Sequence, residues 1–300
     1  MRNEKKMGLI YAIAAYTLWG VLPVYWKLID SVFSMEILSN RIVWAFVFTI
    51  AIIGVTKQWE ELKLIVKDKK QMFNIFIASI LIAFNWGLYI WAVNSDKIVD
   101  ASLGYYINPL LAVVLGVVIF KEKLSFLQGG ALFIAAIGVI IKTLQYGKIP
   151  WISLGLAISF ALYGATKKSI KANSIVGLTL ETIMLTPAAL AYIGVRHLSG
   201  VGAFQKEGVV VILLLIGAGI VTAIPLLLFA SGARRLPMSV LGFTQYISPT
   251  ISLVIGIFVY HEGFTAVDVV GFCFIWVALV MYSISQIREV RSKKYIRQVS

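Results

Sequence analysis

The stretch YINPLLAVVLGVVIFKE at 106–122 is followed 140 positions later by YISPTISLVIGIFVYHE at 246–262. Both copies place a proline near the start of a long apolar run and end that run on a glutamate. The identical pairs are Tyr106 and Tyr246, Ile107 and Ile247, Pro109 and Pro249, Val114 and Val254, Gly116 and Gly256, and Glu122 and Glu262. This internal match predicts a chain built from two related halves with equivalent apolar helices.

The composition excludes a soluble enzyme and a disordered chain. Of the 300 residues, 60% are apolar and 14% carry charge, whereas ordinary soluble domains have roughly 25% charged residues. The net charge of +13 does not indicate nucleic-acid binding, because the cations lie between apolar blocks or at the two ends. The single cysteine, Cys273, excludes an internal disulfide and a Cys-rich metal site. We expect no cofactor and no metal.

Ten apolar segments are long enough to cross a bilayer. A spanning helix needs about 20 mostly apolar residues, because each residue rises ~1.5 Å through a hydrocarbon core of roughly 30 Å. The predicted spans are 8–26, 35–55, 72–93, 101–120, 125–144, 151–167, 175–195, 209–230, 239–260 and 266–286. The predicted fold class is all-α: a polytopic membrane protein with ten transmembrane helices in two inverted five-helix repeats.

The two repeats are predicted at 1–146 and at 147–300, the second with a basic tail. Five spans in each half are an odd number, so the second half must enter the membrane from the opposite side. Inverted repeats are typical of alternating-access transporters, although a duplication can also arise without transport.

The distribution of Lys and Arg predicts the orientation. Alternate connections carry 20 cations on one side and 6 on the other, with Arg41 inside a span. Positively charged short loops stay in the cytoplasm, so both termini are predicted to be cytoplasmic, in the plasma or inner membrane. The inner connection at 57–71 is predicted to form an interfacial helix on anionic lipid. Its apolar face is Trp59, Leu62, Ile65 and Val66, and its basic face is Lys63, Lys67 and Lys70.

Five motifs carry a resemblance to a known family. They are WGVLPVYWK at 19–27, EILSNRIVW at 36–44, NWGLYIWAVN at 85–94, SLGYYINPL at 102–110 and TAIPLLLFASGARRLPMSVLGFTQYISPT at 222–250. With them, the chain resembles the drug/metabolite transporter superfamily, EamA-type, and within it the RarD group of permeases. The resemblance covers essentially the whole chain. It implies ten helices in two repeats, a central substrate cavity, and export or exchange of small metabolites.

Ionisable residues within a span are costly and are therefore candidates for function. Arg41 and Glu181 match under the 140-residue offset. Each lies ~9 Å inside its own face of a core roughly 30 Å thick, so a direct ion pair between them is not expected. Two interpretations stay open for both residues. Either they are structural clamps between helices, or Arg41 orients the substrate while Glu181 takes up and releases a proton during coupling. Arg41 is expected to point into the bundle, toward a carbonyl, a polar side chain or an anionic substrate group.

Aromatic and amide side chains complete the candidate site. Helix faces that carry aromatic and amide side chains suit an apolar or cationic organic molecule. Trp26 and Trp91 lie near helix ends and are interpreted as interfacial anchors. Pro109, Pro225 and Pro249 are predicted to break or kink their helices, since proline removes a backbone donor. The other candidates for substrate binding are Trp19, Asn85, Trp86, Tyr89, Tyr105, Tyr106, Asn108, Gln245, Tyr246 and Ser248. Those near the prolines have a second interpretation, as kink-stabilising groups.

The predicted function is secondary transport of a small organic metabolite or drug-like solute, with proton coupling or exchange. The alternatives are a non-transporting sensor or assembly protein with a transporter fold, and third a membrane-embedded enzyme. The enzyme is disfavoured because the chain has no G-x-S-x-G elbow, phosphate-binding loop or dinucleotide motif. The predicted partners are the solute and the lipid bilayer, and the oligomeric state stays open between monomer and homodimer.

Overall fold

The computed structural model describes residues 2–94, 98–146, 151–259 and 266–299. Within these ranges the chain forms thirteen helices and no strand, in agreement with the predicted all-α class. They are α1 Arg2–Lys27, α2 Ser34–Thr56, α3 Trp59–Lys67, α4 Lys69–Asn94, α5 Ile98–Val118, α6 Phe126–Tyr146, α7 Trp151–Ser169, α8 Ser174–Leu198, α9 Ala203–Lys206, α10 Val209–Ala233, α11 Met238–Gln245, α12 Ile247–Phe258 and α13 Ala266–Val299.

Several helices have the length and composition of membrane spans. Among the described residues, five segments qualify: Asn3–Lys27, Ser34–Thr56, Lys69–Tyr89, Ser174–Lys206 and Val209–Ala233. Three shorter apolar stretches are Gly104–Val118, Phe126–Ile141 and Val269–Ser285. Large apolar side chains such as Phe133, Leu144 and Leu213 lie exposed on the outer surface. Lipid, rather than water, accounts for a surface of this kind, so the chain is a multi-pass membrane protein.

The ninth predicted span is interrupted. Helix α11 ends at Gln245 and α12 begins at Ile247, so Tyr246 joins two helices. Pro249 has no N–H to donate to the carbonyl of Gln245, four residues earlier, which accounts for the position of the interruption. In contrast, α5 and α10 continue through Pro109 and Pro225 without an interruption, so of the two predicted outcomes, a break or a kink, only a kink is left there. One missing hydrogen bond is tolerated inside a long helix whose remaining turns are intact.

Contacts between helix ends define two faces of the bundle. On the N-terminal face, Arg235 donates to Glu4 at 2.9 Å and the backbone N–H of Asn173 donates to Glu61 at 2.7 Å. On the far face, Ser31 donates to Glu207 at 3.1 Å and Arg196 donates to Glu36 at 3.3 Å. Glu36 is buried, and it also accepts a 2.5 Å hydrogen bond from the N–H of Ala203 at the start of α9. It therefore serves as a cap on the far face.

The most extensive helix contacts join the two predicted halves. Among the described helices, these pairs are α5 with α7, α6 with α13, α2 with α8 and with α10, α4 with α7, α1 with α10 and with α12, and α5 with α11. Some approaches leave no room for a side chain. A Cβ placed on Gly219 would collide with the Trp44 backbone, and one on Gly242 would lie 2.7 Å from the Pro109 carbonyl oxygen. The halves interleave rather than pack side by side.

The predicted interfacial helix is α3, but its apolar face is divided. Leu62 and Ile65 pack against the protein core, whereas Trp59, Leu64 and Val66 are exposed. The helix ends at Lys67, so Lys70 belongs to α4 and not to the basic face of α3. The prediction that all four apolar residues of this helix face lipid is therefore wrong for Leu62 and Ile65, which dock α3 on the bundle.

Candidate functional site

Arg41 lies in α2, seven residues from its start on the far face. Its Nε donates a 3.0 Å hydrogen bond to the Thr222 hydroxyl of α10. The guanidinium carbon lies 4.5 Å from the ring centre of Trp26 and 4.8 Å from that of Trp86. Indole rings attract cations through their faces. Arg41 is therefore held by two aromatic rings and one hydroxyl.

Two tyrosines extend this arrangement. The rings of Tyr89 and Tyr105 meet edge to face at 6.0 Å, and both residues lie within electrostatic range of Arg41. Tyr105 is 44% exposed, although Tyr106 and Asn108 beside it in α5 are buried. Tyr105 is therefore the most exposed member of this group of side chains. We call Trp26, Arg41, Trp86, Tyr89, Tyr105 and Thr222 the arginine cluster.

The arginine cluster contains no acidic side chain. Among the described residues, every ion pair within 4.0 Å joins groups other than Arg41. No group of three or more His, Cys, Asp or Glu side chains in the described part of the chain could hold a metal ion. The cluster therefore presents a cation, aromatic surfaces and hydroxyls.

Glu181 lies in a second buried cluster near the N-terminal face. Lys167 Nζ donates to its Oε1 at 2.6 Å and the Tyr163 hydroxyl donates to its Oε2 at 3.1 Å. All three side chains are buried, and they join the end of α7 to the beginning of α8. We call Tyr163, Lys167 and Glu181 the glutamate cluster. As expected from their depths, Arg41 and Glu181 have different partners.

An aromatic layer lies between the helices that carry these clusters. The rings of Trp19 and Phe160 meet edge to face at 5.7 Å, and Tyr163 stacks on Phe229 at 6.0 Å. Trp19 therefore belongs to this layer, in contact with Tyr16, Phe160 and Phe229. The Tyr16 hydroxyl is buried without a hydrogen-bond partner in the described structure. The layer packs α1, α7 and α10 against one another through ring contacts.

Asn85 is occupied by structural contacts. Its amide donates to the Leu156 carbonyl at 2.8 Å and to the Ser159 hydroxyl at 2.9 Å, both in α7. This clamp joins α4 to α7. Its neighbour Trp86 reaches Arg41, so adjacent residues of α4 have different roles.

The remaining predicted site residues meet where α5 packs on α11. The Tyr246 hydroxyl donates to the Tyr106 carbonyl at 3.3 Å, which joins the two equivalent tyrosines of the repeat. Gln245 is buried and Ser248 is partly buried. Asn108 is buried too, and its Oδ1 accepts no hydrogen bond from the described residues. These residues form a contact between halves, separate from the arginine cluster.

Comparisons with known proteins give the family. A model of the EamA-like transporter family matches residues 6–144. An uncharacterized transporter of Bacillus subtilis, YojE, is 47% identical over 97% of this chain and 98% of its own length. The protein RarD of Escherichia coli is 39% identical over 96% of this chain and 98% of its own. The chain belongs to the EamA-like transporter family.

The predicted resemblance to RarD-like EamA permeases is thereby confirmed, and the chain is a transporter rather than an enzyme. A solved structure described as "Crystal structure of protein" has a TM-score of 0.68 at 15% identity and covers 92% of this chain and 97% of its own. At that identity it supports the fold alone. The fold of this EamA-like transporter is therefore similar to that of a solved structure.

Sequence reasoning missed four members of the clusters in this EamA-like transporter: Trp26, Tyr163, Lys167 and Thr222. Lys167 was counted as a loop cation, but it lies in α7 and is buried. It follows Tyr163 by four residues, which puts both on one helical face and was the available signal. Trp26 was interpreted as an interfacial anchor and instead stacks on Arg41. Thr222 is one of many hydroxyl residues in apolar helices, and nothing in the sequence distinguished it.

Glu122 of this EamA-like transporter is a structural cap. It accepts hydrogen bonds from the N–H of Met238 at 2.5 Å, and from the N–H and hydroxyl of Ser239 at 2.9 and 2.7 Å. Lys168 adds an ion pair at 3.1 Å. Partial burial by itself raises the pKa of the Glu122 carboxyl, but the bonds from Ser239 and Met238, with Lys168, outweigh it and leave the pKa lowered. Glu122 thus anchors the start of α11 as a carboxylate.

Proposed function

We propose that this EamA-like transporter is a secondary transporter that moves a small organic metabolite or drug-like solute by alternating access. Its ten spans form two inverted five-helix halves, at 1–146 and 147–300, in the plasma or inner membrane with both termini cytoplasmic. The two halves exchange conformations, and the solute site is the arginine cluster.

The pattern of helix contacts supports the inverted repeat. The repeat pairs α1 with α7, α2 with α8, α4 with α10, α5 with the α11 and α12 pair, and α6 with α13. Exchanging partners turns the α4–α7 contact into α10–α1, the α5–α7 contact into α12–α1, and the α4–α8 contact into α10–α2, and all of these occur. The contacts of α2 with α8, α5 with α11 and α6 with α13 map onto themselves. A symmetry of this kind allows two equivalent states with opposite openings.

The observation that carries the proposal is the difference between the two buried charge clusters. Arg41 has no carboxylate within 4.0 Å among the described residues, whereas Lys167 and Glu181 pair with each other and are buried near the N-terminal face. By the positive-inside rule the N-terminal face, with most of the cations, is cytoplasmic. We therefore propose that the buried pair of Lys167 and Glu181 holds the cytoplasmic side closed in this state.

The coupling proposal concerns Glu181. Opening the cytoplasmic side requires α7 and α8 to separate, which breaks the 2.6 Å contact between Lys167 and Glu181. An unpaired carboxylate in this position is costly, and protonation removes its charge. We propose that proton uptake by Glu181 accompanies the opening. The alternative, that the pair is a permanent clamp, predicts no effect of pH on transport.

The test is an efflux assay that assumes no substrate. Purified full-length chain is reconstituted into liposomes loaded with an extract of bacterial small metabolites, and the external solution is followed by mass spectrometry. The proposal expects selective, saturable efflux of one solute class above protein-free liposomes. Absence of efflux would support the non-transporting sensor, and conversion of a solute inside the vesicles would support a membrane enzyme. Either result would overturn the proposed function.

A further inference from the structure

We propose that the arginine cluster binds an organic oxyanion, and that the solute of this transporter is therefore anionic. The inference rests on the proposed function, because it assigns the charge of the transported solute. Of the partners that the sequence left open for Arg41, it selects the anionic substrate group, and it replaces the apolar or cationic molecule that was expected for the aromatic walls.

The first step is the charge of the site. Arg41 is a cation in a helix that is apolar and long enough to span a membrane, and no carboxylate of the described residues lies within 4.0 Å of it. Charged side chains inside a membrane are paired, or they face a cavity and mark a substrate pathway. In the glutamate cluster the chain supplies both partners, whereas the arginine cluster contains the cation alone. The missing counter-charge is the complement that a solute brings.

The second step is the geometry of the guanidinium. Its Nε already donates to Thr222, which fixes the plane of the group from one edge. The ring centres of Trp26 and Trp86 lie 4.5 and 4.8 Å from the guanidinium carbon. With Nε engaged and both indoles packed on the group, the edge formed by the two terminal nitrogens is left for a ligand. A carboxylate or phosphate meets that edge with two parallel hydrogen bonds.

The third step concerns the rest of the solute. The two indoles are engaged with Arg41, so they do not form an empty aromatic cage for a cation, and Arg41 itself repels one. Tyr89 and Tyr105 add ring surface and hydroxyls beside the guanidinium. An anionic head with a flat or apolar body fits this combination.

The binding experiment uses four probes of similar size on the detergent-purified full-length chain: benzoate, phenyl phosphate, benzamide and benzylammonium. The expected result is a rise in Tm that grows with the concentration of benzoate or phenyl phosphate, and none with benzamide or benzylammonium. The two anionic arms distinguish a carboxylate from a phosphate solute. Equal shifts for benzoate and benzamide, or no shift with either anion, would overturn the inference.

Arg41→Lys is the decisive variant because it keeps the charge and removes the planar fork. We expect at least roughly 10-fold weaker binding of the anion. Arg196→Lys is the matched control, since Arg196 is paired with Glu36 outside the cluster and should leave the affinity unchanged. Wild-type affinity in Arg41→Lys would contradict the proposal.

A second measurement needs no substitution and so does not depend on a variant that folds. Phenylglyoxal modifies accessible guanidinium groups, and peptide mass spectrometry reports each arginine separately. Benzoate should slow modification of Arg41 and leave that of Arg196 unchanged, and benzamide should affect neither. Modification of Arg41 at the same rate with and without benzoate or phenyl phosphate would overturn the proposal.

Efflux of a neutral or cationic solute in the liposome assay would overturn it as well while leaving transport intact. Anion binding without any efflux would overturn transport alone.

Discussion

Lys167 donates a 2.6 Å hydrogen bond to Glu181, with 3% and 1% of the two side chains exposed. The pair joins α7 to α8, and the hydroxyl of Tyr163 binds the second carboxylate oxygen. Removing one partner of such a pair leaves an uncompensated charge in a place where water does not reach.

Lys167→Met should therefore lower the free energy of unfolding by about 3–5 kcal/mol. The double variant Lys167→Met with Glu181→Gln removes both charges and should recover much of that loss. Apparent Tm values in one detergent measure both variants. A double variant less stable than Lys167→Met would contradict the assignment of the cost to a lone carboxylate.

Glu181→Gln keeps the shape of the side chain but cannot exchange a proton. If proton uptake by Glu181 accompanies opening, efflux from the liposomes should lose its dependence on an imposed pH difference. Exchange of the same solute between two equal pools should continue, because it needs no net proton movement. Retention of the wild-type pH dependence would leave Glu181 as a clamp.

Gly219→Ala should destabilise the protein by about 1–3 kcal/mol, as overpacking does. The added methyl group would meet the backbone of Trp44, which lies in a helix and cannot rotate away. Gly54→Ala in α2 is the control, because nothing lies within 4 Å of its Cβ position. That change should stabilise by up to about 1 kcal/mol, since alanine favours helix more than glycine does. Equal Tm shifts in the two variants would argue against the close approach.

Glu122→Gln should lower stability at neutral pH by roughly 1–3 kcal/mol, because the start of α11 loses a charged acceptor. The pKa of Glu122 is lowered from its ordinary 4.5, so its contribution is complete above that value. It is lost as pH falls through the lowered pKa of the folded state, where wild type and variant should converge. Unfolding followed from pH 7 to pH 3 measures this. Glu60→Gln, at an 83% exposed side chain, should show little difference at any pH.

Asn85→Ala should act on stability rather than on solute recognition. The Leu156 carbonyl and the Ser159 hydroxyl lose their donor, at a cost of about 1–3 kcal/mol. The anion affinity measured with benzoate should stay within roughly 3-fold of wild type, well short of a 10-fold change. A loss of affinity without a loss of stability would instead place Asn85 at the solute.

The helices were predictable because apolar length is a local property of the sequence. The pairing of Lys167 with Glu181 was not, because it depends on how α7 and α8 pack, and Lys167 stood at a predicted span end. Trp26 shows the same dependence on tertiary contacts that the local sequence does not reveal. Its position near a helix end is typical of an interfacial anchor, and only the neighbouring Arg41 gives it another role. The sequence predicted a break or kink at each of three prolines. It could not show that only the helix containing Pro249 would be interrupted, since α5 and α10 continue through their prolines.

The tightest contacts of the bundle join helices from different halves, as Gly219 of α10 does with Trp44 of α2. Helices that touch backbone to backbone move together. In the proposed alternating-access cycle, the bodies that shift against one another would therefore be mixed groups, each containing helices from both predicted halves. The predicted repeat would then not be the unit that moves, and neither half expressed alone would have a complete surface to fold against.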